Sequence, residues 1–244
     1  MLNILIPLGT SSQFFEGADY PYPKPLVEID GKPMIQHVIE NLSSISEEKR
    51  FIFILREEDC ARHHLDTTIR LLTDEDVIII KLQSETKGAA CSALLAIDFI
   101  ANDQPLIIAN GDQLFDVNID EYLKGFQEDK VDAGCLCFES VHPRWSYIRL
   151  ENNHIVEAAE KRPLSKMAVA GFYYFAKGLD FIEASKRMIR KDANVNGQFF
   201  IAPVLNELVL DNHRMNAYMI ANEAYHSFYS PQKIEEYEFM RSRC

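Results

Sequence analysis

The strongest constraint on the fold is an alternation, in the first half of the chain, between short apolar runs and stretches with helical spacing. The apolar runs predict buried β-strands, because they carry too few polar residues for a half-exposed sheet. These runs span residues 3–8, 51–55, 77–82 and 105–109. The stretches with helical spacing span residues 34–42, 61–72 and 89–100. Strands alternating with helices predict a parallel sheet that is covered by helices on both faces.

Ligands of such sheets bind beyond the carboxyl ends of the strands, so the loops that follow the strands are the candidate binding segments. These loops are residues 9–25, 83–88 and 110–116. We therefore expect the binding residues of the first half of the chain to lie there.

The pattern changes after about residue 117, where closely spaced strand-like segments predict antiparallel or mixed pairing. These segments span residues 132–140, 147–150, 154–158 and 168–175. The later stretches with helical spacing are 178–191, 199–210 and 231–241. No linker rich in Gly, Ser or Pro separates the halves. We predict a single domain, 1–244, with two lobes, 1–116 and 117–244.

The charge of the chain excludes two classes of partner. With 25 Lys and Arg against 37 Asp and Glu, the net charge is −12, which repels nucleic-acid backbones and anionic lipids. No apolar stretch is long enough to cross a membrane, and the first residues lack the basic segment of a signal peptide. We expect a cytoplasmic protein without nucleic-acid or membrane partners, in which a local cluster of cations holds any bound phosphate.

Two of the five cysteines, Cys135 and Cys137, lie two residues apart in an alternating apolar stretch, so they share one strand face. Two adjacent thiols can bind a metal ion, but no second Cys or His pair has the spacing of a zinc site. The pattern favours core thiols in a reducing compartment.

The first loop, residues 9–25, combines small residues with prolines on both sides of Lys24. Small residues let backbone N–H groups approach a phosphate, and the prolines hold Lys24 on a stiff, extended segment. The loop is either a phosphate site or a surface turn, and its own residues do not decide between the two.

Together with later segments, this loop resembles the signature of the sugar-1-phosphate nucleotidylyltransferases. It is most similar to small stand-alone members found among capsule and lipopolysaccharide biosynthesis proteins. The segments that carry the resemblance are PKPLVEIDGKPMI at 23–35, QSETKGAA at 83–90, NGD at 110–112, EKRP at 160–163, GFYYF at 171–175 and NGQF at 196–199. They occur in the family's order and cover nearly the whole chain.

The resemblance implies a Rossmann-like α/β fold, in which helices flank a mixed sheet as in nucleotide-diphospho-sugar transferases and glycosyltransferases of type A. It implies a reaction in which a sugar-1-phosphate, or a similar phosphorylated metabolite, attacks the α-phosphorus of a nucleoside triphosphate and expels pyrophosphate. The product would be an activated sugar for surface-polysaccharide synthesis. Positioning and charge neutralisation supply most of the catalysis in such a transfer.

Roles also follow from the resemblance, which implies that 1–116 is a nucleotide-binding lobe and 117–244 an acceptor-binding lobe. The implied catalytic residues are Lys24 on the triphosphate, Asp112 on Mg²⁺ and Lys161, with Arg162 as an accessory, on the acceptor phosphate. The implied nucleotide-binding residues are Leu8, Gly9, Thr10, Lys24, Gln83, Gly88, Ala89 and Asp112. The implied acceptor-binding residues are Trp145, Glu160, Lys161, Gly171, Asn196 and Gln198. Trp145, the only tryptophan, is either a core residue or an acceptor contact together with Arg144.

The sequence departs from the family at two positions. The family's first loop carries an Arg where this chain has Phe14, after Thr10 and Ser12. A second metal carboxylate is expected where this chain has Ser227. His226 is a poor substitute because Mg²⁺ prefers oxygen ligands.

Asp116 is either a second carboxylate near Asp112 or a helix cap, and Lys87 either replaces the missing cation or is solvated. A glycosyltransferase on the same fold would need an Asp-x-Asp motif, and the chain has Asn110-Gly111-Asp112. A binding protein that has lost turnover would explain both departures. A homo-oligomer is compatible with the aromatic segments 172–175 and 228–229.

Overall fold

A mixed sheet of nine strands organises the computed structural model, which describes residues 1–242 except 11, 12, 16, 18, 19 and 75. The strands in the described residues are β1 (Leu2–Leu8), β2 (Glu28–Ile29), β3 (Lys32–Pro33), β4 (Lys49–Arg56), β5 (Asp76–Leu82), β6 (Leu106–Ala109), β7 (Gln113–Phe115), β8 (Ala133–Glu139), β9 (Ser146–Glu151), β10 (His154–Glu160), β11 (Met167–Phe175), β12 (Met215–Met219) and β13 (Tyr225–Ser227). The helices are α1 (Met34–Ser43), α2 (Glu57–His63), α3 (Leu65–Leu72), α4 (Ala89–Ala93), α5 (Ile97–Ile100), α6 (Ile119–Glu128), α7 (Gly178–Arg190), α8 (Val204–Leu210) and α9 (Pro231–Arg241).

The sheet joins a parallel half to an antiparallel one. Strands β5, β4, β1 and β6 lie side by side and parallel, with Leu5 opposite Ile52 on one side and Ile108 on the other. The next strand, β11, runs antiparallel to β6, β8 and β9. Beyond them, β12 pairs with β8 and β10 pairs with β9. The predicted mixed sheet, with its change of pattern after the first half, is confirmed.

Alternation along the strands divides the core into two layers. Ile4 and Ile6 of β1 face α1, α2, α3 and α6, whereas Leu5 faces α4, α5, α7 and α8. Both faces are covered because the strands carry apolar side chains in both directions. A smaller cluster holds α9 against the rest of the chain. This C-terminal cluster consists of Phe15, Ile29, Met34, Leu114, Phe228, Ile234 and Tyr237.

Some predicted boundaries were wrong for local reasons. The stretch 61–72 contains two helices because His64 adopts a positive φ of 55° between them. The stretch 89–100 forms α4, a 3₁₀ turn and α5, and the helix predicted from residue 199 begins only at Val204, after Pro203. Five strands, β2, β3, β7, β12 and β13, were not predicted.

Cys135 and Cys137 are fully buried on one face of β8, with their Sγ atoms 3.7 Å apart, so the core interpretation is confirmed. Among the described residues, no group of three or more His, Cys, Asp or Glu side chains has the arrangement of a metal site. No helix in that part of the chain is both long and apolar enough to span a membrane.

Candidate active site

A cavity of about 300 Å³ lies beyond the carboxyl ends of β1 and β6, where a sheet of this kind binds its ligands. We call this space the first cavity. Its lining residues are Pro7, Leu8, Thr10, Lys24, Pro25, Ala89, Asn110, Gly111 and Asp112. Five of the eight predicted nucleotide-binding residues therefore surround one cavity, although they come from three separate loops.

Lys24 and Asp112 face each other across the first cavity, and the Lys24 ammonium donates a hydrogen bond to Oδ2 of Asp112. Lys24 begins a 3₁₀ turn directly after Pro23, whose φ of −64° fixes the approach of the chain. The Lys24 Nζ also lies 5.5 Å from the centroid of the Phe15 ring. The two charged side chains remain 19% and 23% exposed, so an entering ligand can reach both.

The backbone of Asp112 is held by the C-terminal part of the chain. Its carbonyl accepts a hydrogen bond of 2.8 Å from the N–H of Phe228, which is buried in the C-terminal cluster. The segment after β13 therefore supports Asp112 through the backbone.

A second cavity of about 210 Å³ adjoins the first, because Ala89 and Asn110 line both. Its lining residues are Ala89, Asn110, Arg144, Trp145, Ser146, Glu160, Val169, Gly171, Tyr173, Phe200 and Ile201. Three of the six predicted acceptor-binding residues, Trp145, Glu160 and Gly171, are among them. Ser146 and Phe200 were not predicted as site residues, and Tyr173 was included only as part of the GFYYF segment, because these three become neighbours through the tertiary fold.

Glu160 and Tyr173 share the interior of the second cavity. Burial raises the pKa of the Glu160 carboxyl, an effect that the hydrogen bond from the Ser146 hydroxyl and the charge of Lys161 partly offset. Burial, with a smaller contribution from the Glu160 charge, also raises the pKa of the Tyr173 phenol well above its ordinary value. The cavity thus offers a carboxyl and a neutral phenol, which suit the hydroxyl groups of a sugar.

Gly171 has a steric role that its predicted acceptor contact did not include. Its φ is +61°, and a Cβ at this position would lie 2.2 Å from Nδ2 of Asn110 and 2.5 Å from Oε1 of Gln113. The Gln113 amide donates a hydrogen bond of 2.9 Å to the Gly171 carbonyl, and the Asn110 backbone N–H donates one of 3.0 Å. Gly171 therefore lets β6 and the loop after it close over β11.

Lys161 lies at the edge of the second cavity, outside its lining. Its backbone N–H donates a hydrogen bond of 3.0 Å to the Trp145 carbonyl, and its Nζ lies 5.0 Å from the ring centroid of Phe200. Arg162 is turned away and pairs with Glu157 at 3.0 Å, which does not fit the accessory role suggested for it.

The other predicted site residues lie outside the lining of both cavities. Gln83, Asn196 and Gln198 are exposed, and Gly9 is buried. Gly88, with a φ of +106°, packs against the backbone of Phe199, so that a Cβ there would lie 2.5 Å from the Phe199 carbonyl oxygen. This contact brings the turn that contains Asn196 and Gln198 next to the loop that contains Gly88.

The departures from the family motif have distinct positions. Phe14 is 57% exposed, which excludes a core role, and Ser12 lies outside the described residues. Asp116 does not cap α6, since Asn118 does; its carboxylate instead pairs with Nε2 of His226 at 2.8 Å. His226 and Ser227 line a third cavity of about 350 Å³, walled largely by aromatic rings, and neither lines the first cavity with Asp112.

Comparison with known proteins places the chain in a family of enzymes that transfer nucleotides. The family model described as nucleotidyl transferase matches residues 20–226. The chain belongs to the nucleotidyl transferase family.

One curated relative is the UTP–glucose-1-phosphate uridylyltransferase of Haloferax volcanii, which is 29% identical over 64% of this chain and 65% of its own length. Another is the bifunctional protein GlmU of Methanocaldococcus jannaschii, 29% identical over 67% of this chain and 38% of its own length. The chain thus spans less than two thirds of the length of these relatives.

Solved structures share the fold. A nucleoside-diphosphate-sugar pyrophosphorylase from Vibrio cholerae superposes with a TM-score of 0.83 at 21% identity, covering 97% of this chain and 99% of its own. The inositol-1-phosphate CTP transferase from T. maritima superposes with a TM-score of 0.75 at 17% identity, covering 98% of this chain and 94% of its own. The predicted family and fold class are therefore confirmed.

Proposed function

We propose that this protein transfers a nucleotidyl group from a nucleoside triphosphate to a sugar-1-phosphate. A phosphate oxygen of the acceptor attacks the α-phosphorus, the bond from that phosphorus to the bridging oxygen of the β-phosphate breaks, and pyrophosphate leaves. The observation that carries the proposal is the pair of adjoining cavities. One contains Lys24 and Asp112, and the other contains Glu160 and Tyr173.

In this proposal the first cavity binds the nucleotide. Lys24 neutralises the triphosphate, whereas Leu8, Thr10 and Ala89 shape the cavity around it. Gln83 and Gly88 contact the base from the neighbouring loop. Gly9, which directly follows β1, belongs to the same nucleotide site. Placing the α-phosphorus where the cavities meet, near Asn110, brings it within reach of the acceptor. Orientation of this kind accounts for a large part of the rate of a two-substrate transfer.

The donor set of the first cavity fits Mg²⁺. The cation is a hard ion that takes one or two carboxylates and completes its shell with water and substrate phosphates, and Asp112 is the carboxylate available there. Asp112 would hold the ion, which when bound neutralises charge on the phosphate oxygens. Lys24, which occupies Oδ2 of Asp112, would move onto the triphosphate as the nucleotide enters.

The second cavity binds the acceptor in this proposal. Lys161 holds its phosphate, Glu160 accepts hydrogen bonds from its hydroxyls, and Trp145 offers a ring face to the sugar. Gly171 lets Asn110 and Gln113 pack closely beside the cavity, and the turn with Asn196 and Gln198 approaches from the Phe199 side.

We further propose that the lobes 1–116 and 117–244 divide the two substrates between them. The activated sugar would serve surface-polysaccharide synthesis, which the resemblance to capsule and lipopolysaccharide proteins supports. Nucleoside triphosphates and the free thiols Cys60, Cys91, Cys135 and Cys137 fit a cytoplasmic location.

A pyrophosphate-release screen tests the function. Each of four nucleoside triphosphates is combined with several sugar-1-phosphates and with inositol 1-phosphate, with and without Mg²⁺. We expect Mg²⁺-dependent pyrophosphate release with at least one pair. Release of free nucleoside diphosphate from a supplied nucleotide sugar would instead indicate a glycosyltransferase.

A binding protein without turnover is a second candidate, which one observation favours. Asp112 is the sole carboxylate that lines the first cavity among the described residues, and it is already paired with Lys24. Saturable nucleotide binding by calorimetry without pyrophosphate release from any pair would support this candidate.

A further inference from the structure

Arg144 differs from Arg149 and Arg162 because none of the carboxylates that the structure describes pairs with it. Arg149 and Arg162, on the same hairpin, both pair with Glu157. Arg144 lines the cavity and is half-buried, yet it forms no ion pair with any residue that the structure describes. A partly desolvated cation without a counter-ion is costly unless other groups compensate it.

Two aromatic rings supply that compensation. The guanidinium carbon of Arg144 lies 3.6 Å from the ring centroid of Tyr229 and 5.8 Å from that of Trp145. At 3.6 Å the carbon is in van der Waals contact with the Tyr229 ring. Rings stabilise the cation by its attraction to their faces but leave its N–H groups at the edge without acceptors. The Arg144 side chain therefore has a fixed position and unused donors.

Lys161 brings a second unpaired cation to the same place. The hydrogen bond from its N–H to the Trp145 carbonyl sets residues 144–145 beside residue 161, at the end of the hairpin where Ser146 pairs with Glu160. Its Nζ lies over Phe200, which lines the second cavity. No carboxylate among the described residues forms an ion pair with Lys161, although its charge acts on the neighbouring Glu160 carboxyl and lowers the pKa of that group. In a chain of net charge −12, two such cations beside one cavity are the local cation cluster that phosphate binding requires.

We propose that Arg144 joins Lys161, to which the proposed function already assigns the acceptor phosphate, in binding that phosphate, and that Tyr229 is a positioning residue that holds Arg144. A phosphate monoester carries a charge near −2 above its second pKa of about 6, which two cations match. The planar fork of Arg144 can bind two phosphate oxygens at once, which an ammonium cannot. The identity of the acceptor depends on the proposed function, whereas the anion site itself requires no turnover.

The single tryptophan makes this site directly observable. Trp145 lines the second cavity beside Arg144 and also borders the third cavity, so its fluorescence responds to ligands next to Arg144, and the variants below assign the response. Nucleotide-free protein is titrated with α-D-glucose 1-phosphate, with inorganic phosphate and with glucose as the uncharged control. We expect a saturable response to the two phosphate compounds and a much weaker one to glucose.

Variants assign the response to Arg144. Arg144→Ala should weaken glucose 1-phosphate binding about ten- to hundredfold, the range for loss of hydrogen bonds to a charged group. Arg144→Lys should have an affinity between those of the wild type and Arg144→Ala, because lysine keeps the charge but lacks the planar fork of donors. Arg149→Ala removes the same charge from the same hairpin, outside the cavity, and should bind as the wild type does. Tyr229→Leu should weaken glucose 1-phosphate binding. Tyr229→Phe keeps the ring and should bind as the wild type does.

The outcomes separate this proposal from the proposed function. Wild-type affinity in Arg144→Ala, or no saturable response of the wild type to either phosphate compound, would overturn the anion site. Equal losses in Tyr229→Leu and Tyr229→Phe would overturn the positioning role of the ring. Arg144-dependent binding in a protein that releases no pyrophosphate would leave the anion site standing and refute only the transferase. Circular dichroism melts of every variant confirm that the fold is intact.

Discussion

Replacing Gly171 by Ala tests how the two cavities are held together. The new Cβ would lie 2.2 Å from the Asn110 amide and 2.5 Å from the Gln113 amide, so both side chains must move. The φ of +61° adds strain of about 1–2 kcal/mol for a residue with a Cβ. Gln113 is 2% exposed, and losing its hydrogen bond to the Gly171 carbonyl costs about 1–3 kcal/mol.

A small opposing effect comes from the unfolded chain, in which Ala has fewer conformations than Gly, worth about 0.4–1 kcal/mol. We expect Gly171→Ala to lower the free energy of unfolding by roughly 2–4 kcal/mol. The matched control is Gly197→Ala. Its φ is +79°, but a Cβ there meets no atom within 4 Å, so only the strain remains and the loss should be about 1 kcal/mol or less.

Urea denaturation of the wild type and both variants measures these losses, provided that the slopes with denaturant agree. Because Asn110 lines both cavities, Gly171→Ala should also raise the acceptor KM in the pyrophosphate assay. Equal destabilisation by the two variants would refute the steric argument, since backbone strain alone would then explain both.

Four further predictions concern individual side chains. Asp112→Asn should abolish Mg²⁺-dependent turnover while leaving the melting temperature nearly unchanged; near-normal activity would refute the metal assignment. Lys24→Ala should weaken nucleotide binding by calorimetry, whereas Lys161→Ala should spare it and raise the acceptor KM; equal loss of nucleotide affinity in both would contradict the division of substrates. Burial raises the pKa of Glu160 above 4.5, so the folded state binds this proton more tightly and loses stability as the pH rises from 4.5 through the raised pKa. Melting temperatures of Glu160→Gln, relative to the wild type, should therefore rise as the pH increases from about 4.5, and a flat difference would contradict the burial effect. Phe14→Arg should leave the melting temperature unchanged, because Phe14 is 57% exposed, and should tighten nucleotide binding; unchanged affinity would show that the motif alignment is wrong across the first loop.

Regular elements with strong patterns were predictable, and short or irregular ones were not. The apolar runs around Leu5 and Ile52 predicted parallel strands, because a strand buried on both faces has no polar alternation. Strand β7 has three residues and β13 also has three, which is too short for any period to be visible. The helix predicted over 61–72 was divided at His64 by a backbone conformation that hydrophobic spacing does not encode.

The site was predictable in its loops and less so in its contacts. Motif matches indicated Lys24 and Asp112, which are 88 residues apart, and the structure brings them into one ion pair. The same reasoning missed the part that Asn110 plays in both cavities. It also left Arg144 between two roles, because the ring that holds it, Tyr229, lies 85 residues later.

The amino-acid sequence by itself determined the layered α/β architecture, the order of the loops at the carboxyl edge of the sheet, and the family. These depend on burial patterns and on short motifs, which are local properties of the chain. Tertiary structure alone decided that the two cavities adjoin through Ala89 and Asn110, that Asp116 pairs with His226, and that Arg144 has rings instead of a carboxylate as neighbours. Such contacts depend on how distant strands pair and twist, and hydrophobic periodicity carries no information about which side chains then meet.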